Sequence, residues 1–309
     1  MRRYLVQRLL LIVLVAWGVT TFLFILARLA GDPAELLSPP EASDAVIEAT
    51  RERLGLNDPL IVQYLDSLRA MFTLDFGQSF AFSQPAVDMV FERLGPSLRI
   101  VVPALLLAVI LSFTIGIVAA LRPSRLSGRL LMAGTFVTGS IPYFWMALLL
   151  VLLLAVRLQW LPATGSSGTK SLVIPVAVLT IAAVSTSARL TRGQLLDAFN
   201  EGYVLTARSK GVPASRVLFS HALPGALPPV LAWLGIEFSF LFSSLLVLEP
   251  LLGYNGLGAL LIRSVNNQDF PMVQASVFCM AMLITCVNIG MDLLVRLIDP
   301  RLRTKAATS

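Results

Sequence analysis

Residues Ile100 to Leu121 read Ile-Val-Val-Pro-Ala-Leu-Leu-Leu-Ala-Val-Ile-Leu-Ser-Phe-Thr-Ile-Gly-Ile-Val-Ala-Ala-Leu, 22 residues without a charge. A window of about 19 apolar residues marks a helix that crosses a bilayer. Five more runs are predominantly apolar: Leu9 to Ala27, Leu130 to Val156, Leu172 to Ser187, Ala226 to Leu248 and Met272 to Val295. The third run in chain order holds Pro142, which predicts a kink. The fourth is short and carries several Ser and Thr. Spans this apolar must be helical, because lipid offers no partner to open backbone groups. Strands of a β-barrel would alternate in polarity, whereas these runs are continuous. The expected fold class is all-α, a polytopic membrane protein with six transmembrane helices.

Composition points the same way. Of 309 residues, 56% are hydrophobic and 14% charged, against about 25% charged in soluble domains. Mean hydropathy is +0.80. These values exclude a disordered tail, a secreted disulfide scaffold and a typical cytosolic enzyme. Cys279 and Cys286 share one apolar stretch and encode no disulfide framework. The first run ends at Arg28 without a small-residue cleavage site, so it reads as a retained span and not a signal peptide.

The few charges map the orientation. Arg2, Arg3 and Arg8 precede the first run. Arg122, Arg125 and Arg129 lie between the second and third. Arg189, Arg192, Arg208, Lys210 and Arg216 lie between the fourth and fifth. Arg296, Arg301, Arg303 and Lys305 follow the sixth. With six spans, these 15 of the 24 basic residues share one side. Short basic loops stay in the cytoplasm, so both termini are expected there. The long loop from Arg28 to Arg99 holds 11 of the 18 acids and is expected outside. Within it, apolar residues recur at helical spacing around Leu54-Gly-Leu-Asn-Asp-Pro-Leu and Val62-Gln-Tyr-Leu-Asp-Ser-Leu, predicting one or two short helices. Phe76-Gly-Gln-Ser-Phe reads as a turn. The net charge of +6 is thereby explained by orientation, and no basic–aromatic module suggests a nucleic-acid partner.

Catalytic signatures are missing. There is no Gly-x-x-x-x-Gly-Lys-Ser/Thr loop and no His-Glu-x-x-His, and one histidine supplies no His-rich metal site. Without a Gly-x-Ser-x-Gly elbow, a hydrolase built on His221 is disfavoured. No catalytic residue, metal site or bound cofactor is expected.

The fourth connection runs Tyr203-Val-Leu-Thr-Ala-Arg-Ser-Lys-Gly-Val-Pro-Ala-Ser-Arg-Val-Leu-Phe-Ser-His-Ala-Leu-Pro. Residues before Lys210 have helical periodicity. Gly211 suits a position that needs positive φ, and Pro213 suits the first turn of a second helix. Ser220 and Pro224 follow before the fifth span. The product is a basic helix–turn–helix on the cytoplasmic face; lying on lipid headgroups is its plainest use.

This stretch resembles the EAA loop of ABC importer permeases: Glu-Ala-Ala, three residues, Gly, nine residues, Ile-x-Leu-Pro. Leu205-Thr206-Ala207 stands at the triplet, without the acid and one alanine. Gly211 stands at the glycine, and His221-Ala222-Leu223-Pro224 at the end. Tyr203 to Gly211 with His221 is similar to the form found in the dipeptide/oligopeptide/nickel branch, in its first, B-type permease subunit. The resemblance extends along the chain through Tyr4-Leu-Val-Gln-Arg-Leu-Leu, Arg28-Leu-Ala-Gly-Asp-Pro-Ala, Ser140-Ile-Pro-Tyr-Phe-Trp, Trp160-Leu-Pro, Ala188-Arg-Leu-Thr-Arg, Glu249-Pro-Leu-Leu-Gly-Tyr-Asn-Gly-Leu-Gly, Asp269-Phe-Pro-Met-Val-Gln and Asp299-Pro-Arg-Leu-Arg.

The resemblance implies a type I ABC importer permease fold in a bacterial inner membrane. It implies a tail and first helix over 1–30, an extracytoplasmic region over 31–94, a five-helix transmembrane domain over 95–298 with a coupling loop at about 195–224, and a cytoplasmic tail over 299–309. It implies a second homologous permease, two cytoplasmic ATPases that hold ATP and magnesium, and an extracytoplasmic solute-binding protein as partners. Short peptides are the substrate class it favours. The hairpin would dock on an ATPase through Tyr203, Thr206, Ala207, Arg208, Lys210 and Gly211, with His221, Leu223 and Pro224 closing the loop. Small Ala207 would permit close approach and the two cations would meet acids.

Several polar residues fall within or beside the spans. Glu237 sits near the middle of the fifth, where an ionisable group is costly and faces a cavity or a partner. It reads either as a translocation-path residue for an amine or cation, or as a packing residue at a subunit contact. An ion-coupled carrier with Glu237 as proton carrier is the alternative function; it predicts inverted repeats, and no convincing repeat is visible. Asp292 and Arg296 are spaced for a local ion pair. Glu249, Pro250, Gly253, Gly256 and Gly258 suggest an outer gate, or a plain re-entrant turn. Tyr143, Trp145 and Trp160 read as interface anchors.

Overall fold

The computed structural model describes residues 2–29, 34, 43–53, 56–165 and 168–298. Gly31-Asp32-Pro33, Leu54-Gly55 and the tail 299–309 lie outside the described residues. The helices are α1 (Arg2–Leu29), α2 (Asp44–Arg53), α3 (Leu60–Thr73), α4 (Ala86–Leu121), α5 (Leu126–Ser140), α6 (Tyr143–Arg157), α7 (Val173–Phe199), α8 (Gly202–Ser209), α9 (Ala214–Leu251), α10 (Leu257–Asn266) and α11 (Phe270–Ile298). The described residues form no strand beyond one isolated bridge, Gln78 to Pro85. Val62-Gln-Tyr-Leu-Asp-Ser-Leu falls within α3, as its spacing predicts, whereas residues 56–59 form a turn and α2 lies before the stretches from which helices were expected.

Among the described residues, five helices are long and apolar enough to cross a membrane singly. The third run breaks more sharply than a kink, and counted as one broken span it makes the sixth. It is two helices, α5 and α6, whose axes bend by 96°. Ile141 is extended at φ −90°, ψ 122°, and Pro142 follows at φ −57°, ψ 134°. Proline disfavours a helical conformation in the residue before it and has no N–H to continue the ladder. The chain therefore leaves the helix for two residues and restarts at Tyr143.

The fourth run extends well past its apolar stretch. Thr180, Ser185, Ser187 and Thr191 of α7 are all buried. Ser185 donates to Ala182 O at 2.6 Å and Thr191 to Ser187 O at 2.8 Å. Hydroxyls satisfied by their own helix are cheap to bury, which explains a polar stripe inside a packed helix.

The chain divides into two compact units. One comprises Met1–Ser97 and Asn255–Cys286. In it α1 packs on α3, where Thr21 and Tyr64 share a 2.8 Å hydrogen bond and Tyr64 meets Phe24 edge to face. Ala16, Met71 and Phe278 bury together beside Phe76. Asp269, fully buried, caps α11: it accepts from Met272 N–H at 3.3 Å, Ala81 N–H at 3.2 Å and the Ser79 hydroxyl. One carboxylate thus ties the loop around residue 80 to the start of the last helix.

The other unit comprises Leu98–Tyr254 and Val287–Ser309. Here α7 is the central helix, flanked by α5, α6 and α9. A Cβ on Gly116 of α4 would stand 2.8 Å from the Thr191 side chain, so glycine permits the close approach of α4 to α7.

Candidate functional site

The basic hairpin is built by a complete helix stop. After α8, Gly211 N–H donates to Arg208 O at 2.9 Å and Val212 N–H to Ala207 O at 3.2 Å. This pair of bonds is a Schellman motif, which places Gly211 in the left-handed region. Its φ is +74°, as its sequence position predicts. Pro213 stands one residue before the helix that begins at Ala214, and not within its first turn, a small correction.

That second helix does not end before the fifth span. It runs unbroken through a wide turn at Val217–Ala222 to Leu251. The proline ring of Pro224 would crowd the Ser220 carbonyl in an ordinary turn and offers it no N–H. The wider spacing relieves both problems. His221 lies in this turn, half-buried, its Nδ1 3.2 Å from Arg216 O. Leu223 is half-buried and Pro224 exposed.

The hairpin has an inner and an outer face. Val204 and Ala207 are buried with Leu195, Phe199, Val217, Leu218 and Ala222, and Val212 packs on the same cluster. Ala207 thus faces the chain's own helices, and its small size serves that contact. Tyr203, Leu205, Thr206, Arg208, Lys210 and Gly211 are exposed. The Arg208 guanidinium lies 4.9 Å from the Phe199 ring centroid. The Tyr203 hydroxyl stands 2.6 Å from where a Cβ on Gly225 would be, so glycine permits the close approach of α8 to α9 there. The sequence-expected residues therefore come together on one hairpin, with Ala207 behind the surface.

A cavity of about 380 Å³ opens where α5 breaks into α6 beside α7 and α9. It is lined by Thr138, Gly139, Ile141, Pro142, Tyr143, Ala182, Ser185, Thr186, Trp233, Ile236, Glu237 and Phe240. Glu237 is 4% exposed. Its Oε2 accepts from Trp233 Nε1 at 2.8 Å and Ser187 Oγ at 3.2 Å. Tyr143, expected as an interface anchor, lines this cavity. Trp233 is a partner that helical spacing could have revealed, four residues before Glu237; Ser187 carries no such signal.

Near the end of α9, Glu249 is fully buried and Pro250 stays helical. Tyr254 N–H donates to Glu249 O at 2.8 Å, and Gly253 turns the chain at φ +61°. Burial pushes the Tyr254 phenol above its ordinary pKa; the Glu249 carboxylate adds to this and Arg99 opposes it. Gly256 precedes α10 and Gly258 lies in its first turn.

Residues 112–304 match the binding-protein-dependent transport system inner membrane component family, and residues 1–114 match the N-terminal part of such membrane components. The chain belongs to this family. It is 34% identical over 306 residues to the glutathione transport system permease protein GsiC of Escherichia coli strain K12, covering 99% of this chain and 100% of that one. Against GsiC of Salmonella typhimurium strain LT2 the identity is 35% over 307 residues, with the same coverage.

The fold is also seen in solved structures. The inward-facing MetNI methionine ABC transporter aligns with a TM-score of 0.57 at 17% identity, over 68% of this chain and 96% of that one. An amino acid ABC transporter aligns at 0.52 and 18%, over 69% and 94%. This permease is thus an all-α, multi-pass inner-membrane component of an ABC importer, a family of transporters and not of enzymes. An ion-coupled carrier is not favoured.

Proposed function

We propose that the chain forms half of the translocation pore of an ATP-driven importer for glutathione or short peptides. A second homologous permease completes the pore, two cytoplasmic ATPases hold ATP and magnesium, and an extracytoplasmic binding protein delivers the solute. Both termini and the hairpin lie in the cytoplasm, following the basic loops.

The observation that carries this reading is the two-faced hairpin. Its inner face is packed into the helices of the membrane unit, and its outer face presents Tyr203, Leu205, Arg208 and Lys210. A rigid hairpin transmits a push from an ATPase as a rigid-body movement of α7 and α9. Those helices carry Glu237, which lines the cavity, and its partner Ser187, so motion at the hairpin reaches a translocation path that includes Glu237. The turn around Glu249 and Gly253 serves as an outer gate.

The test is uptake by the complete importer in proteoliposomes. ATP-dependent accumulation of glutathione or dialanine is expected only when the binding protein is present. Uptake of neither solute, from an assembled complex that hydrolyses ATP, would overturn the substrate class.

A further inference from the structure

Glu237 is almost wholly buried, yet both of its hydrogen bonds fall on Oε2. Oε1 accepts none from the described residues and is not among the buried unpartnered atoms, so it is open to the cavity that Glu237 lines. Two of the hydroxyls that line the cavity already donate elsewhere. Thr138 donates to Gly134 O at 3.0 Å, and Ser185 to Ala182 O at 2.6 Å. The indole N–H of Trp233 is held by Oε2. Thr138 and Ser185 still offer lone pairs and not protons, and the hydroxyls of Thr186 and Tyr143, which also line the cavity, can accept as well as donate.

An anion finds no cationic partner among the described residues that line the cavity. Calcium and magnesium favour about six or more oxygen ligands with carboxylates among them, and the described lining supplies one carboxylate. A primary ammonium brings three donors and a charge, and suits the set. The walls agree: Tyr143 and Phe240 meet edge to face at 6.1 Å, and Trp233 lies beside them. Aromatic rings attract a desolvated cation. No Lys, Arg or His lines the cavity among the described residues. The volume falls within the range of about 300–1,000 Å³ that small-molecule sites occupy.

We propose that this cavity receives the primary ammonium group of the transported solute, with Glu237 Oε1 accepting one of its hydrogen bonds. This rests on the placement of Glu237 on the translocation path. It adds a check for a free amino group inside the membrane, separate from any selection by the binding protein.

The test uses the complete importer in lipid nanodiscs without the binding protein. Two probes are titrated by calorimetry: L-alanyl-L-alanine amide, with one ammonium and no carboxylate, and its N-acetyl derivative. Trp233 fluorescence, taken as the difference between wild type and Trp233→Phe, reports the site. The free amine is expected to bind at least about tenfold more tightly than the acetylated probe. Glu237→Gln should remove that preference while the complex elutes intact. Equal binding of the two probes, or no binding of the free amine, would overturn the proposal. So would separation of the permease from its partner in Glu237→Gln, which would make the carboxylate a subunit contact. Failure of the importer reading looks different: uptake is absent while amine binding and its dependence on Glu237 persist.

Discussion

Replacing Gly211 tests whether a stiff hairpin transmits the motor's work. A Cβ added at this position meets nothing within 4 Å, so the substitution has no steric neighbour to disturb. The whole cost is in the backbone, at φ +74°. A side chain in the left-handed region costs about 1–2 kcal/mol, and a β-branched one more. Asparagine tolerates this conformation best among the other residues. If the turn gives way, the bonds from Gly211 N–H and Val212 N–H are lost as well, each worth about 0.5–1.5 kcal/mol. An alanine penalty of this size lowers the ratio of formed to open turn about 5–30-fold. Uptake into proteoliposomes should therefore fall in the order Gly, Asn, Ala, Val, with Gly211→Val inactive. Membrane insertion and helix content, followed by circular dichroism, should not change. Normal uptake by a correctly inserted Gly211→Val protein would refute the reasoning. Equal loss in all three variants would also refute it, since only backbone conformation ranks them.

Other expectations follow from particular contacts. Asp269→Ala removes a helix cap and strands Ser79 in a buried site, so thermal unfolding should show a loss of about 1–3 kcal/mol, partly restored in Asp269→Asn; an unchanged melting temperature would contradict this. Ala207→Leu overfills the cluster beneath the hairpin and should cost about 1–3 kcal/mol. Hydrogen exchange of the α8 amides should rise in that variant, and should not in Thr206→Ala, whose exposed hydroxyl bonds only to Gly202 O. Gly116→Leu should lower the melting temperature of the purified complex, because its Cβ would strike Thr191. Gly134→Leu, with open space around it, is the control expected to leave stability unchanged.

Much of the fold was legible because lipid removes alternatives. An uncharged run such as Ile100 to Leu121 has only a helix open to it, and α4 contains that run whole. Gly211 was legible because a left-handed helix stop demands glycine. The break at Ile141 was only half legible. A proline predicts a kink, but whether the helix bends or restarts depends on what packs around it, here α7 and α9. The direction of Ala207 was not legible, since eight helical residues do not tell an inward face from a partner-facing one. Glu237 was conspicuous by its depth, and Trp233 was its neighbour at helical spacing. Ser187, 50 residues away, was set beside it by tertiary packing alone. Ser79 and Asp269, 190 residues apart, were likewise beyond any local pattern.

The central claim is that the hairpin is the surface that meets the ATPases. Site-directed cross-linking tests it most directly, in a background where Cys279 and Cys286 are replaced by serine. Cysteines at Leu205 and Lys210, both exposed on the hairpin, should cross-link to an ATPase subunit and resist impermeant reagents added outside. A cysteine at Trp160, exposed in the loop after α6, should do the reverse. If neither hairpin position cross-links while the ATPases co-purify, or if Trp160 is the position that does, the account is contradicted.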